Sequence, residues 1–165
     1  MTSIVNRATS KLHQILTAQT GLNGNIALLA QAENVSISPL NDEQFVVANV
    51  SSDLVEKAGA TKYTSVYIYC DKVSNTLREK FRSFSGCVLL AADVRVSQDR
   101  IEGIDQQSHF YTDAVTHVLD QSRGDWGQGL FYPGGYEVTF GPVKHGGRNF
   151  IKSAKVTFPV EASID

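Results

Sequence analysis

The chain has 165 residues and a net charge of −2 at pH 7, with 42% hydrophobic and 19% charged residues. This length fits one domain, 1–165, that buries roughly 70% of the surface exposed by the unfolded chain. The near-neutral charge excludes a field strong enough to recruit nucleic acid or an anionic membrane by itself.

The N-terminal third begins with a predicted helix. Apolar residues recur at helical spacing over residues 3–20, and Gly21 is placed to terminate that helix. Asn23-Gly24 marks a turn, and the run 26–32 fits either a short helix or an apolar strand. Further predicted elements are strands over 35–38 and 44–50 and a short helix over 51–57.

A Tyr-rich strand is predicted over residues 63–71. Tyr67 and Tyr69 share one face of it, and Val66 and Ile68 share the other. With helices on only one side of the sheet, the two tyrosines face away from the helices. They are then either half-exposed to water or covered by another element or a neighbouring subunit.

The segment 72–85 is a polar connection that carries Lys72, Arg78, Lys80 and Arg82. It is longer than a hairpin needs. The segment is therefore expected to be either a solvated loop or an arm that becomes ordered on contact with a partner.

The best-patterned unit of the chain is a strand followed by a helix. Apolar residues alternate with polar ones from Cys87 to Val96. Asp99 and Glu102 have capping-box spacing, and an apolar stripe then continues at helical spacing to Leu119. The strand and the helix are expected to cover each other, and a right-handed crossover would allow a later strand to lie parallel to this one.

The C-terminal part of the chain predicts antiparallel β structure. Glycine-rich turns and loops over 123–129, 133–135 and 141–147 separate short alternating segments. The predicted fold class is therefore α+β, with a mainly antiparallel sheet and the first and central helices packed on one face. The predicted strands are 130–132, 136–140 and 154–160.

No motif for catalysis, a cofactor or a metal is found. Nucleophile-elbow, zinc-protease, P-loop and dinucleotide-binding patterns do not occur. His109 and His117 lie eight positions apart on one helix, about 12 Å by helical rise, which is too far to share a metal ion. Cys70 and Cys87 lack metal-ligand spacing and are expected to be buried free thiols. No apolar run long enough for a membrane helix and no signal peptide are found.

Two loops carry residues suited to contacts. Trp126, in a glycine-rich loop, either folds back on the core or anchors a protein contact. Lys144, His145 and Arg148 lie in the segment KHGGR, which is either a phosphate or partner contact or a charged hairpin tip.

Three stretches together resemble a known family: SVYIYCDKVSN, FSGCVLLAADVRVSQDRIEGIDQQSHFYTDAVTHVL and GYEVTFGPVKHGGRNFIKSAKVTFPVEA. Their order after an N-terminal helix resembles the small neck and tail-completion proteins of tailed bacteriophages, most nearly the tail terminators. The resemblance covers roughly residues 60–162. It is one of pattern, without a catalytic-style motif.

The resemblance implies a structural virion protein, assembled in the host bacterial cytoplasm. Such proteins form a homo-oligomeric ring, commonly a hexamer, at the head-proximal end of the tail, where they stop growth of the tail tube and join it to the head connector or stopper. DNA would pass through the lumen without sequence-specific binding. We therefore expect contacts with neighbouring subunits or the tube from Tyr67, Tyr69, Arg78, Lys80, Arg82, Trp126, Tyr132, Lys144, His145 and Arg148.

Three alternatives remain at this point. Another neck component, a head-completion adaptor or stopper, belongs to the same class, although adaptors are typically helical. A small α+β enzyme would require a deep pocket lined by convergent polar groups. A DNA-binding module would require affinity that falls steeply with salt.

Overall fold

The computed structural model describes residues 3–52, 63–145 and 148–165. The chain forms an α+β fold with a mixed, mostly antiparallel sheet, as the sequence predicts. The helices are α1 (Ile4–Thr17), α2 (Leu22–Glu33) and α3 (Ile104–Gln121), and a 3-10 turn spans Asp42–Gln44. The strands are β1 (Phe45–Val47), β2 (Ser65–Asn75), β3 (Phe84–Gln98), β4 (Gly124–Gly127), β5 (Leu130–Tyr132), β6 (Glu137–Phe140), β7 (Lys144–His145) and β8 (Phe150–Ile164).

The centre of the sheet is the pairing of β3 with β8. Both strands have 15 residues, and they pair antiparallel from Phe84 opposite Ile164 to Gln98 opposite Phe150. The strand order is β1-β2-β3-β8-β5-β4, and β6 and β7 also pair with β8. Among the described pairs only β1 with β2 is parallel. Both neighbours of β3 are antiparallel to it, so the parallel neighbour that a crossover would allow is not formed.

One face of the sheet carries the hydrophobic core. Val88, Leu90 and Val94 of β3 are fully buried, as the alternation predicts, and they belong to one cluster with Leu12 of α1 and Val115 of α3. The two principal helices therefore pack on the same face, and α2 packs against α3. At the β4–β5 side the core ends in three rings, Trp126, Tyr132 and Phe158, whose centroids lie 5.3–6.2 Å apart.

The N-terminal predictions are wrong in several details. Helix α1 ends at Thr17, and Gly21 caps the start of α2 instead of terminating α1. A Cβ at Gly21 would lie 2.5 Å from the carbonyl oxygens of Ile15 and Leu16, so the close approach of the chain requires glycine there. Asn23-Gly24 lies inside α2, because the packing of this helix on α3 outweighs the local preference of these two residues for a turn. Residues 35–38 form no strand, 44–50 contribute only β1, and the predicted helix over 51–57 extends into residues outside the described part.

Strand β3 is longer than predicted, and helix α3 begins differently than predicted. Strand β3 extends to Gln98, whose side-chain amide donates to the carbonyl oxygens of Arg100 and Glu102 at 2.6 and 2.9 Å. Helix α3 begins at Ile104 after Gly103, whose φ is 77°, so the predicted capping box is replaced by a glycine turn. The predicted arm over 72–85 is also shorter, because β2 continues to Asn75 and β3 begins at Phe84.

The C-terminal prediction is confirmed in outline, because strands form over 130–132, 137–140 and 150–164. Short strands β4 and β7 form where only turns and a loop were expected. Cys70 and Cys87 are free thiols but only half-buried, and partial burial raises the pKa of both.

Truncation of Phe158 tests the aromatic cluster. Because this ring is fully buried, Phe158→Ala leaves a cavity and should lower the free energy of unfolding by about 3–5 kcal/mol in urea denaturation. Phe131→Ala on strand β5 is the control, because that ring is 46% exposed and its loss should cost well under half as much. Equal losses in the two variants would contradict this placement of the core.

Candidate functional site

The residues expected to make contacts fall into three places in the structure. Trp126 and Tyr132 lie in the core. Tyr67, Tyr69 and Lys144 lie at the sheet face opposite the helices, and Arg78, Lys80 and Arg82 lie on the connection between β2 and β3. The structure therefore divides one predicted set into a buried part and two surface regions.

Trp126 and Tyr132 are buried within their own chain, which corrects the expectation that they are available to a partner. Trp126 donates a hydrogen bond from Nε1 to the Ser122 carbonyl oxygen at 2.7 Å and packs on Tyr132 and Phe158. Desolvation raises the pKa of Tyr132 to about 12. Large rings gain more by filling the core than by facing water, so of the two alternatives for Trp126 the structure shows the core position.

The sheet face opposite the helices is covered in part by its own charged side chains. Tyr67 is only 7% exposed, because the Arg95 guanidinium lies 3.8 Å from the centre of its ring. Arg95 Nε donates to Asp93 Oδ2 at 3.0 Å, and Arg95 Nη2 donates to the Val50 carbonyl oxygen. Of the alternatives for Tyr67, the structure therefore shows cover by another element of the same chain, the Arg95 side chain of β3.

Tyr69 is half-buried on the same face, as one of the two alternatives expected. Lys155 Nζ lies 5.5 Å from the centre of its ring and 2.5 Å from Asp71 Oδ2. Strand β2 has a register shift between Cys70 and Lys72, which leaves Asp71 as an extra residue. The bulge places that carboxylate beside Lys155.

A cleft of about 370 Å³ opens on this face. Its walls include Tyr69, Asp93, Arg95, Lys144 and Lys155. Asp93 Oδ1 and Arg95 Nη1 are buried and have no hydrogen-bond partner among the described residues. Burial raises the pKa of Asp93, and the adjacent Arg95 offsets only part of that rise.

His145 and Arg148 flank this region without entering the cleft. Both side chains are exposed, and the His145 ring lies 4.8 Å from the Phe150 ring. Lys144 is exposed and reaches the cleft wall. The segment between His145 and Arg148 lies outside the described residues.

The connection between β2 and β3, residues 76–83, is named the hairpin tip below. It presents two large apolar side chains to solvent: Phe81 is 100% exposed and Leu77 is 62% exposed. Both residues have left-handed backbone conformations, with φ of 65° and 46°. For residues other than glycine, asparagine and aspartate this conformation is costly, so the tip holds strain at the two positions that expose apolar surface.

The hairpin tip is held firmly against the end of β8. Ser83 N donates to the Ile164 carbonyl oxygen at 2.9 Å, and Ser163 Oγ donates to Glu79 Oε2 at 2.7 Å. Arg82 pairs with Glu79 and with Asp165. The exposed side chains are thus carried on an ordered turn, which lowers the entropic cost of binding through it.

Sequence reasoning selected the basic residues of this segment and missed Leu77 and Phe81. Arg78 and Lys80 are exposed and form no ion pair among the described residues, so they lie between Leu77 and Phe81 as free positive charges. The available signal was an isolated phenylalanine, between Lys80 and Arg82, in a polar connection between two strand patterns. The left-handed backbone had no sequence signal, because neither residue is a glycine or an asparagine.

The comparisons with known proteins add no family. No family model matches the chain, and a search of curated proteins finds no significant match. Within the described residues no group of three or more His, Cys, Asp or Glu side chains is placed to hold a metal ion. In the same part of the chain no helix is long and apolar enough to cross a membrane.

Removal of Arg95 tests the buried ion pair. Arg95→Met leaves the Asp93 carboxylate buried and unpaired, which should lower the free energy of unfolding by about 3–5 kcal/mol at pH 7. The loss of Arg95 raises the native pKa of Asp93 further, so the native state binds a proton that the unfolded chain releases. The loss of stability in Arg95→Met should therefore shrink as the pH falls from neutral towards about 4, the pKa of an aspartate in the unfolded chain. Urea denaturation at several pH values measures this change.

The control for this variant is the double replacement Asp93→Leu with Arg95→Met. With both charges gone, stability should return to within about 1–2 kcal/mol of the wild type and lose the extra pH dependence. A deficit in Arg95→Met that is the same at every pH would show that lost packing on Tyr67, and not the orphaned charge, is responsible.

Replacement of Phe81 by asparagine tests the strain in the hairpin tip. Asparagine adopts left-handed backbone readily and Phe81 makes no buried contact, so Phe81→Asn should leave monomer stability unchanged or raise it by up to about 1 kcal/mol. Phe131→Asn is the control and should lower monomer stability, because Phe131 lies in the regular strand β5. A clear loss of stability in Phe81→Asn, measured by thermal unfolding at low protein concentration, would mean that this ring supports the monomer itself.

Proposed function

We propose that this chain is a ring-forming structural subunit of the tail-terminator type. In this role it assembles at the head-proximal end of a phage tail, ends the tail tube and joins the tube to the head connector, with no catalysis and no cofactor. The phage assignment rests on the resemblance of the three stretches described above. Assembly through surface contact is supported by the geometry of the hairpin tip.

The observation that carries the proposal is that the hairpin tip exposes apolar side chains on a strained backbone and is nevertheless held in place by hydrogen bonds to β8. A fully exposed phenylalanine contributes nothing to monomer stability, and its left-handed backbone costs free energy of the order of 1–2 kcal/mol. Burial of that ring in a partner would contribute about 1.5–3 kcal/mol. Strained, pre-organised residues of this kind are typical of contact sites.

Further contacts are proposed for the other exposed candidates. Arg78 and Lys80 lie in the hairpin tip, whereas Lys144 and His145 lie on β7, which pairs with the opposite end of β8. Arg148 is also exposed. The tube and the head connector are the proposed heterologous partners, and DNA is proposed to pass through the lumen without sequence-specific contacts. A head-completion adaptor or stopper would use the same surfaces and differ only in its neighbours.

A second candidate function, binding of a small polar ligand, is favoured by the cleft beside Arg95. Its buried wall offers an unpartnered donor, Arg95 Nη1, and an unpartnered acceptor, Asp93 Oδ1. Such a role predicts a ligand that raises the melting temperature of the wild type and has no effect on the Asp93→Leu, Arg95→Met double variant. A screen of carboxylates, phosphates and amides that yields no such ligand would leave assembly as the sole proposal.

Native mass spectrometry tests the proposed function. We expect the wild-type chain to form closed rings, commonly hexamers, alone or on the end of tail tubes, and Phe81→Asn to be monomeric at the same concentration. Leu28→Gln is the control, because Leu28 of α2 is also 62% exposed but regular in backbone, and its loss should leave the rings intact.

Electron microscopy of tail tubes polymerised with and without the chain supplies a second readout. The proposal predicts tubes of fixed end structure that carry a ring at one end and no longer elongate. A wild-type chain that stays monomeric both alone and with tube protein would overturn the proposed function.

A further inference from the structure

We infer that the hairpin tip of one copy docks into an apolar groove at the opposite end of the next copy, with Phe81 as the inserted side chain. The groove lies between the segment 35–37 and helix α3, and is called the α3 groove below. This inference rests on the proposed function, because it names the contact by which copies of the chain would join.

The α3 groove has the size and chemistry of a phenyl site. Its volume is about 220 Å³, and its walls are Val35, Ser36, Ile37, Gln106, Gln107 and Phe110. The three apolar members are half-buried, so part of each faces the groove. A cavity of about 150 Å³ is sufficient to hold benzene in a protein, so the α3 groove can accept the Phe81 ring.

The α3 groove is also fixed in shape before any partner arrives. Tyr111 donates a hydrogen bond from its hydroxyl group to the Ser38 carbonyl oxygen at 2.8 Å, which ties the segment after Ile37 to α3. The last turn of α2 leads directly into Val35, through Asn34 in a left-handed conformation. Both the tip and the groove are thus ordered in the single chain, which favours docking without rearrangement.

Charges around the two surfaces are complementary. Arg78 and Lys80 precede Phe81 in the hairpin tip and are exposed without ion pairs among the described residues. Exposed Asp113 lies three positions after Phe110, on the same face of α3, and exposed Glu33 lies two positions before Val35. A basic tip therefore meets an apolar groove with acidic neighbours, which favours a second copy of this chain as the occupant.

A larger recess on the molecule does not suit the hairpin tip. This recess, of about 980 Å³, is lined by Arg7 and Lys11 of α1 and by the ion pair of Arg82 with Asp165, so its unpaired charges are positive. Its positive side chains would repel Arg78 and Lys80 of an incoming copy. Charge thus discriminates between the two recesses and selects the smaller, apolar one.

The tip and the groove of one chain are too far apart to meet. Strand β3 leaves the tip at Phe84 and runs 15 residues, about 45 Å, before the turn into α3. Phe110 lies less than two helical turns after that turn, so the groove remains near the far end of the strand. A contact between different surfaces on two copies is heterologous, and successive copies joined in this way form a closed ring or a filament.

The test uses two variants, each of which removes one side of the contact. Phe81→Asn removes the inserted ring and keeps the groove. Gln106→Trp, at an exposed helix position, fills the groove and keeps the tip. Ser36→Trp is a second blocked groove, for use if Gln106→Trp does not fold, and Gln14→Trp on α1 controls for an added surface tryptophan.

Native mass spectrometry is then applied to each variant and to their mixture. Each variant alone should be monomeric, whereas the mixture should give a heterodimer and nothing larger, because only one tip and one matching groove remain. Raised salt should weaken that heterodimer. If Gln106→Trp and Ser36→Trp still form rings of the same size as the wild type, this inference is overturned and the proposed function stands. A wild-type chain that never associates would overturn both.

Discussion

The structure depends on the pairing of β3 with β8 over 15 residues each. This ladder places the even positions of β3 from Val88 to Val96 on one face, where they receive α1 and α3, and places Asp93 and Arg95 on the other. A slip of one residue would exchange the two faces and bury the charges under the helices. The register of this single pair therefore decides where the core lies and which side chains reach the second face.

The same ladder explains how the surface features arise. Its long strands end at the hairpin tip, where the last residues of β8 hold Ser83 and Glu79 in place. At the other end Gln98 supports the turn that aims α3 back along the sheet, and the α3 groove forms beside the first turns of that helix. Tip and groove are thus opposite ends of one rigid unit, and their separation follows from strand length.

The sheet face opposite the helices is covered by charged side chains and not by a helix. Arg95 stacks on Tyr67 and pairs with Asp93, so two charged groups and an aromatic ring close a surface that the alternation left open. Such a buried pair adds little net stability compared with apolar residues of the same size, but the loss of one partner is costly. The adjacent cleft of about 370 Å³ is a part of this face that is open to other molecules.

Much of the fold was predictable from the sequence, because long periodic stretches such as Cys87–Val96 and the stripe to Leu119 outweigh local exceptions. Local signals failed where tertiary packing opposed them: Asn23-Gly24 became helical, and Gly103 replaced Asp99 as the helix cap. The basic part of the hairpin tip was predicted as a contact region. The strained pair Leu77 and Phe81 was not, because the sequence gives no measure of φ or of exposure. The α3 groove combines residues 35–37 with 106–110, and that juxtaposition exists only in the folded chain.

Hydrogen–deuterium exchange of the wild-type chain, at concentrations where it is assembled and where it is dissociated, would show directly which surfaces join the copies. If the hairpin tip docks in the α3 groove, assembly should slow exchange at residues 76–83 and 35–37 and at the first turns of α3, with little change along β8. Exchange that is independent of concentration, or protection confined to other surfaces, would contradict it.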